Sequence, residues 1–189
     1  MKRLILILSF AIVFVFCVGC AEKSDESIYA SDISSKTVLS EEIPTDFNIR
    51  FVSKYYAEEI YDTYNGVLLK DLVLDGVATA TFSPSAETIS EIYSKITEYK
   101  ILEISQTMSD DFLADEGGLH YAVKPCWSYE IRITANGKEY KIKGDDTANG
   151  YTETNAQARS FVDFINFMKR TMHETEEYKN LPEPNGGYI

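Results

Sequence analysis

Hydrophobic and polar positions follow two regimes along the chain. Residues 4–18 are apolar with one interruption, Ser9, whereas from Phe47 onward apolar residues recur at the periods of strands and helices. Phe47, Ile49 and Phe51 alternate with Asn48 and Arg50, the pattern of a strand with one buried face. Asn65 and Gly66 supply the positive φ angles of a tight turn, which as a two-residue hairpin sets Asp62 opposite Leu69. Residues 76–82 predict a further strand. Ser83 followed by Pro84 predicts a helix start, since a Ser side chain caps free N–H groups and Pro fits the first helical position. Ile89, Ile92, Tyr93 and Ile96 then form one apolar helix face.

The clearest local signal is Asn136-Gly137. A two-residue turn there pairs Ala135 with Lys138, Thr134 with Glu139, Ile133 with Tyr140, Arg132 with Lys141, Ile131 with Ile142 and Glu130 with Lys143. Trp127, Tyr129, Ile131 and Ile133 then share a face with Tyr140 and Ile142, opposite Ser128, Glu130, Arg132 and Lys141. A second helix begins near Thr154 or Asn155, with Thr154 and Gln157 at capping-box spacing and Phe161, Phe164, Ile165, Met168 and Met172 on one side. Pro182, Pro184, Gly186 and Gly187 end regular structure in an extended tail. These elements predict an α+β fold, an antiparallel sheet of about four or five strands with two helices packed on one face.

The apolar N-terminal stretch follows Lys2 and Arg3 and falls short of the roughly 20 residues that cross a bilayer, so it reads as a secretory signal. Cys17, Val18, Gly19 and Cys20 resemble the bacterial lipobox, with Cys17 standing where leucine is usual. The resemblance implies that Cys20 is lipidated and becomes the mature N-terminus. Acyl chains then hold the protein on the extracytoplasmic face of the cell membrane without a span. Residues 1–19 are the expected signal peptide, residues 20–46, rich in Ser, Asp, Glu and Thr, a flexible tether, and residues 47–189 one domain.

Charge narrows the partners. The chain carries a net charge of −12, and loss of Lys2 and Arg3 with the signal takes it to −14. Such an excess of carboxylates repels a phosphate backbone, so nucleic acid is excluded as the expected partner. Of three cysteines, Cys17 leaves with the signal and Cys20 takes the lipid, so Cys126 has no intrachain disulfide partner and reads as a small buried hydrophobe.

Candidate chemistry is sparse. Asp145, Thr147, Asn149 and Gly150 match the first, third, fifth and sixth positions of a calcium loop, but Ala156 stands where the twelfth position needs Glu. Asp110, Asp111, Asp115 and Glu116 form a second acidic run, which reads as solvated. His120 and His173 are the only histidines, and no nucleophile elbow, zinc-protease, Walker or paired-cysteine motif occurs, so neither a cofactor nor a metal is expected. Arg132 opposite Lys141 is a like-charge pair, offset either by the neighbouring Glu130 and Glu139 or by a bound anion. Tyrosine is abundant, with 13 in the chain, and Tyr55, Tyr56, Tyr61 and Tyr64 crowd the first turn. A non-catalytic module that binds an envelope protein or glycan is the leading expectation, carried by Tyr61, Tyr64, Arg132 and Lys141, with Tyr61 and Tyr64 exposed. The alternatives are a hydrolase using Asp62, Asp145 or Asp146 and a weak calcium sensor of the envelope.

Tyr61-Asp62-Thr63-Tyr64-Asn65-Gly66 with Lys70 and Asp71, the helix segment Ile92-Tyr93-Ser94-Lys95, and the ending from Glu177 to Tyr188 together resemble a group of small lipoproteins of Gram-positive bacteria. The resemblance covers most of residues 47–189. It implies an exported, lipid-anchored protein and carries no assigned activity.

Overall fold

The computed structural model describes residues 42–114 and 125–188. The signal segment, Cys20, most of the tether, Asp115, Glu116 and His120 lie outside the described residues. Six strands, one or two more than the pattern predicts, form a single antiparallel sheet: β1 (Asn48–Lys54), β2 (Glu58–Asp62), β3 (Val67–Asp71), β4 (Val77–Thr81), β5 (Ser128–Ala135) and β6 (Lys138–Asp145). Their order across the sheet is β4-β3-β2-β1-β5-β6. The four α-helices among the described residues are α1 (Ala86–Glu98), α2 (Asp110–Leu113), α3 (Ala156–Glu174) and α4 (Glu176–Lys179).

Alternation along the strands dictates which face is core. Ile49 and Phe51 of β1, Tyr61 of β2, Leu68 of β3, Tyr129, Ile131 and Ile133 of β5 and Ile142 of β6 are buried on one face. Ile92, Tyr93 and Ile96 of α1 and Phe161, Phe164, Ile165, Phe167, Met168 and Met172 of α3 join them in one core. Each such side chain contributes roughly 1.5–3 kcal/mol by leaving water, so the two long helices are held by packing. The β5–β6 hairpin has the register the sequence predicts, from Ala135 opposite Lys138 to Glu130 opposite Lys143.

Two local details differ from expectation, and a third decides between two expected starts. The β2–β3 turn is a four-residue loop, so Asp62 faces Val67 and Tyr61 faces Leu68. Helix α1 is capped by Ser85, whose hydroxyl accepts from the Thr88 N–H at 3.0 Å, because residues 83 and 84 still belong to the connection from β4. Helix α3 is capped by Asn155, whose carbonyl oxygen accepts from the N–H groups of Gln157 and Ala158 at 2.9 and 3.0 Å.

The edge of β6 is closed by Met108, which donates to Lys143 O at 2.8 Å and accepts from Asp145 N at 2.9 Å. Gly144 permits this approach, since a Cβ there would stand 2.4 Å from Met108 O and 2.6 Å from the Phe161 ring. Asp110 is not solvated as its acidic run suggested. It is buried, its backbone N–H donates to Thr147 Oγ1 at 2.6 Å, and its carboxylate accepts from the Tyr151 hydroxyl. The tail after α4 is extended but docked: Leu74 N–H donates to Asn185 O at 3.2 Å and Asn185 N–H to Leu72 O at 3.1 Å.

Candidate functional site

Docking of the tail builds a surface at one end of the sheet. The β1–β2 turn carries Tyr55 and Tyr56 just past the Lys54–Glu58 pair, and the tail delivers Tyr188 beside them. The Tyr188 hydroxyl donates to Asp71 at the end of β3, and the same carboxylate accepts from the Val73 N–H at 2.8 Å. That hydrogen bond, reinforced by burial, raises the Tyr188 pKa, so the hydroxyl remains a donor at neutral pH. Val73 has a φ of 62°, a strained conformation for a β-branched residue, and pairs with Asn185. The tail and the strained turn thus fix one another.

Four rings follow in sequence across this end. Tyr188 lies 4.6 Å from Tyr56 and 5.5 Å from Tyr55, and Tyr55 lies 5.4 Å from Trp127, centroid to centroid. Lys169 of α3 places its ammonium 4.8 Å from the Trp127 ring centroid, within cation–π range. Tyr56 is 53% exposed, Tyr188 37% and Leu74, against Gly186, 75%, so the strip offers apolar area to solvent. Rings held at these separations stabilise each other and present a preformed surface.

Beneath the rings lies a polar cluster on the inward face. Tyr178 of α4 donates to Glu59 of β2, and His173 Nε2 stands 3.7 Å from the same carboxylate. Burial pushes the Glu59 carboxyl up, but the neighbouring His173 ring, the Tyr178 hydrogen bond and the charge of Lys169 outweigh it and hold it low. Glu59 is therefore an ionised acceptor at neutral pH. Burial first, then the Glu59 hydrogen bond, raises the Tyr178 hydroxyl. Lys70 of β3 lies 5.1 Å from the Tyr178 ring centroid and 3.3 Å from Glu183 of the tail. Of these residues, only His173 was named among the candidate chemistry of the sequence. The available signal was a polar residue at an inward strand position, which Glu59 and Lys70 both occupy.

The residues expected to bind divide. Tyr61 is a correction: it is fully buried, because it points inward between Phe51 and Leu68 and packs on Phe82 at 4.7 Å. Tyr64, Arg132 and Lys141 do come together, on the open face of the sheet. Tyr64 is half-buried, shares a 2.7 Å hydrogen bond with Thr134 and lies 4.9 Å below the Arg132 guanidinium. Glu139 receives Arg132 Nε at 2.6 Å and lies 3.1 Å from Lys141 Nζ, which settles the like-charge pair without an anion.

The three candidate carboxylates are engaged locally. Asp62 accepts from Tyr64 N and Asn65, Asp145 from Thr147 N at 3.0 Å, and Asp146 from the Tyr129 hydroxyl at 2.6 Å. Residues 146–151 form 3₁₀ turns, and no set of three metal-ligating side chains converges among the described residues. Cys126 is half-buried at the approach to β5, more exposed than a core residue. No protein-family model matches the chain, and no curated protein matches it.

Proposed function

We propose that this protein is an exported lipoprotein, anchored through lipid on Cys20 to the extracytoplasmic face of the cell membrane, whose domain binds an envelope glycan without catalysis. Kinship with the small lipoproteins of Gram-positive bacteria belongs to the same proposal, as do the signal peptide and tether. The observation that supports binding is the strip of Tyr55, Tyr56, Trp127 and Tyr188. The apolar C–H faces of a sugar ring match aromatic faces, while its hydroxyls meet phenol oxygens, the Lys169 ammonium and the Lys54–Glu58 ion pair at the same turn. A neutral glycan also avoids the repulsion that a net charge of −12 imposes on anionic ligands.

Trp127 is the only tryptophan and reports directly on this surface. Titration of the full chain in nonionic detergent with soluble oligomers of β-1,4-linked N-acetylglucosamine is expected to change Trp127 emission saturably. Tyr56→Ala should weaken the response about tenfold, the loss of one well-placed ring contact. An unchanged spectrum at millimolar oligomer disposes of the glycan reading. Anchoring is tested separately by palmitate labelling of cells, which should be lost in Cys20→Ala.

A further inference from the structure

A cavity of about 420 Å³ opens between the start of α1 and the end of α3, and no ring of the aromatic strip lines it. Its size is that of a small-molecule site. Four carboxylates surround it: Glu91 of α1, Glu174 of α3, and Glu176 and Glu177 of α4. Of these, Glu176 is paired with Lys179 at 2.8 Å and Glu91 also acts on the charge of Lys95, while Glu174 and Glu177 have no ion pair among the described residues. The carbonyl end of the 19-residue helix α3 adds partial negative charge. The start of α1 also faces the cavity, but Ser85 already takes the Thr88 N–H and Glu87 stands in the first turn, so the carboxylates set the field.

The floor carries a second, independent sign of a ligand. Tyr61 lines the cavity from below, its side chain is fully buried, and its hydroxyl has no hydrogen-bond partner among the described residues. A buried hydroxyl left without a partner is costly, and native proteins keep few of them. Burial and then the charge of Glu177 raise its pKa, so the hydroxyl keeps its proton at neutral pH.

We propose that this cavity binds a linear polyamine, with Tyr61 Oη accepting from an ammonium N–H and Glu91, Glu174 and Glu177 matching the remaining charges. A divalent metal needs several oxygens around one point, and no such set converges among the described residues. Charges spread around a rim match a ligand whose own charges are spread. The methylene segments of a polyamine lie against apolar walls while its ammonium heads meet carboxylates, and Phe82 and Pro84 supply those walls here.

Calorimetric titration of the full chain in nonionic detergent with spermidine tests this. One saturable site is expected. Its affinity should fall about tenfold in Glu177→Gln and in the Glu91→Gln/Glu174→Gln double variant, and by a similar factor in Tyr61→Phe. Glu153→Gln, on a side chain 93% exposed and outside the cavity lining, should leave it unchanged. Tyr61→Phe deletes a buried hydroxyl that has no partner, so without ligand its melting temperature is expected to equal or exceed that of the parent, which confirms a folded variant. No heat at millimolar spermidine, or several weak sites to which Glu153→Gln contributes as much as Glu177→Gln, overturns the site. Full retention of affinity in Tyr61→Phe overturns the role of the hydroxyl.

Discussion

Two of the four Asn-Gly dipeptides in the chain join neighbouring strands, and they do so with different loop lengths. At Asn136-Gly137 both residues take positive φ, 53° and 71°, and the strands pair up to the turn itself. At Asn65-Gly66 only Gly66 does, at 62°, and four residues separate the last pair, Asp62 and Val67. A carboxylate receives the turn's N–H groups in both places, but from different distances along the chain. Asp62 sits three residues before Asn65 and captures Tyr64 N at 2.9 Å, Asn65 N at 3.3 Å and the Asn65 amide at 2.8 Å. Asp46 reaches Asn136 N at 3.0 Å and Gly137 N at 2.7 Å from about ninety residues away. A carboxylate within the loop winds the backbone around itself, whereas a remote one accepts the turn as its dipeptide makes it.

Removing the local carboxylate is the strongest way to break this contrast. Asp62 is buried and also lies 3.5 Å from Arg50, so Asp62→Ala orphans two backbone donors and a guanidinium. A loss of about 3 kcal/mol is expected in urea unfolding. Tyr64 rides on this loop, so its ring should also leave Arg132, a change visible in tyrosine chemical shifts. A loss below about 1 kcal/mol would mean that the dipeptide, not Asp62, makes the loop.

The two glycines sharpen the contrast. Both have positive φ, yet a Cβ at Gly66 would stand 2.9 Å from Phe82 O, while one at Gly137 meets nothing within 4 Å. Gly66→Ala is therefore expected to cost about 2–3 kcal/mol, conformational strain plus a backbone clash, and Gly137→Ala about 1 kcal/mol, strain alone. Equal losses in parallel denaturant titrations would show that the approach of Phe82 is relieved at little cost.

The same contrast explains what the sequence disclosed. The β5–β6 register was legible because Ile133 with Tyr140 and Ile131 with Ile142 satisfy one face only if Asn136-Gly137 is a two-residue turn. Helix faces were legible for the same reason, since Ile92, Tyr93 and Ile96 and the Phe161-to-Met172 stripe each follow one period. Tyr61 misled because its neighbours in the chain, Tyr55, Tyr56 and Tyr64, are less buried; only pairing with Phe51 and Leu68 turns it inward. The aromatic strip was illegible as a unit. Tyr188 joins Tyr55 and Tyr56 through a bridge between Asn185 and Val73, and Trp127 arrives by the pairing of β5 with β1. Contacts of that separation depend on topology that no local pattern specifies.

Asp46 gives the smallest effect and the most specific one. The Gly137 N–H lowers its pKa most, desolvation opposes this, and the Asn136 N–H adds to the lowering. A carboxylate with a folded pKa below its unfolded value of about 3.9 contributes stability that is full above that value and is lost as pH falls through the folded pKa. The melting temperature of Asp46→Asn should therefore lie slightly below that of the parent near pH 7, and the gap should close as pH falls below about 4. An amide oxygen still accepts one N–H, so the gap reports the charge rather than the whole contact. A gap that persists unchanged to low pH would mean that Asp46 holds the turn by shape alone, and the parallel with Asp62 would then rest on the hydrogen bonds and not on their charge.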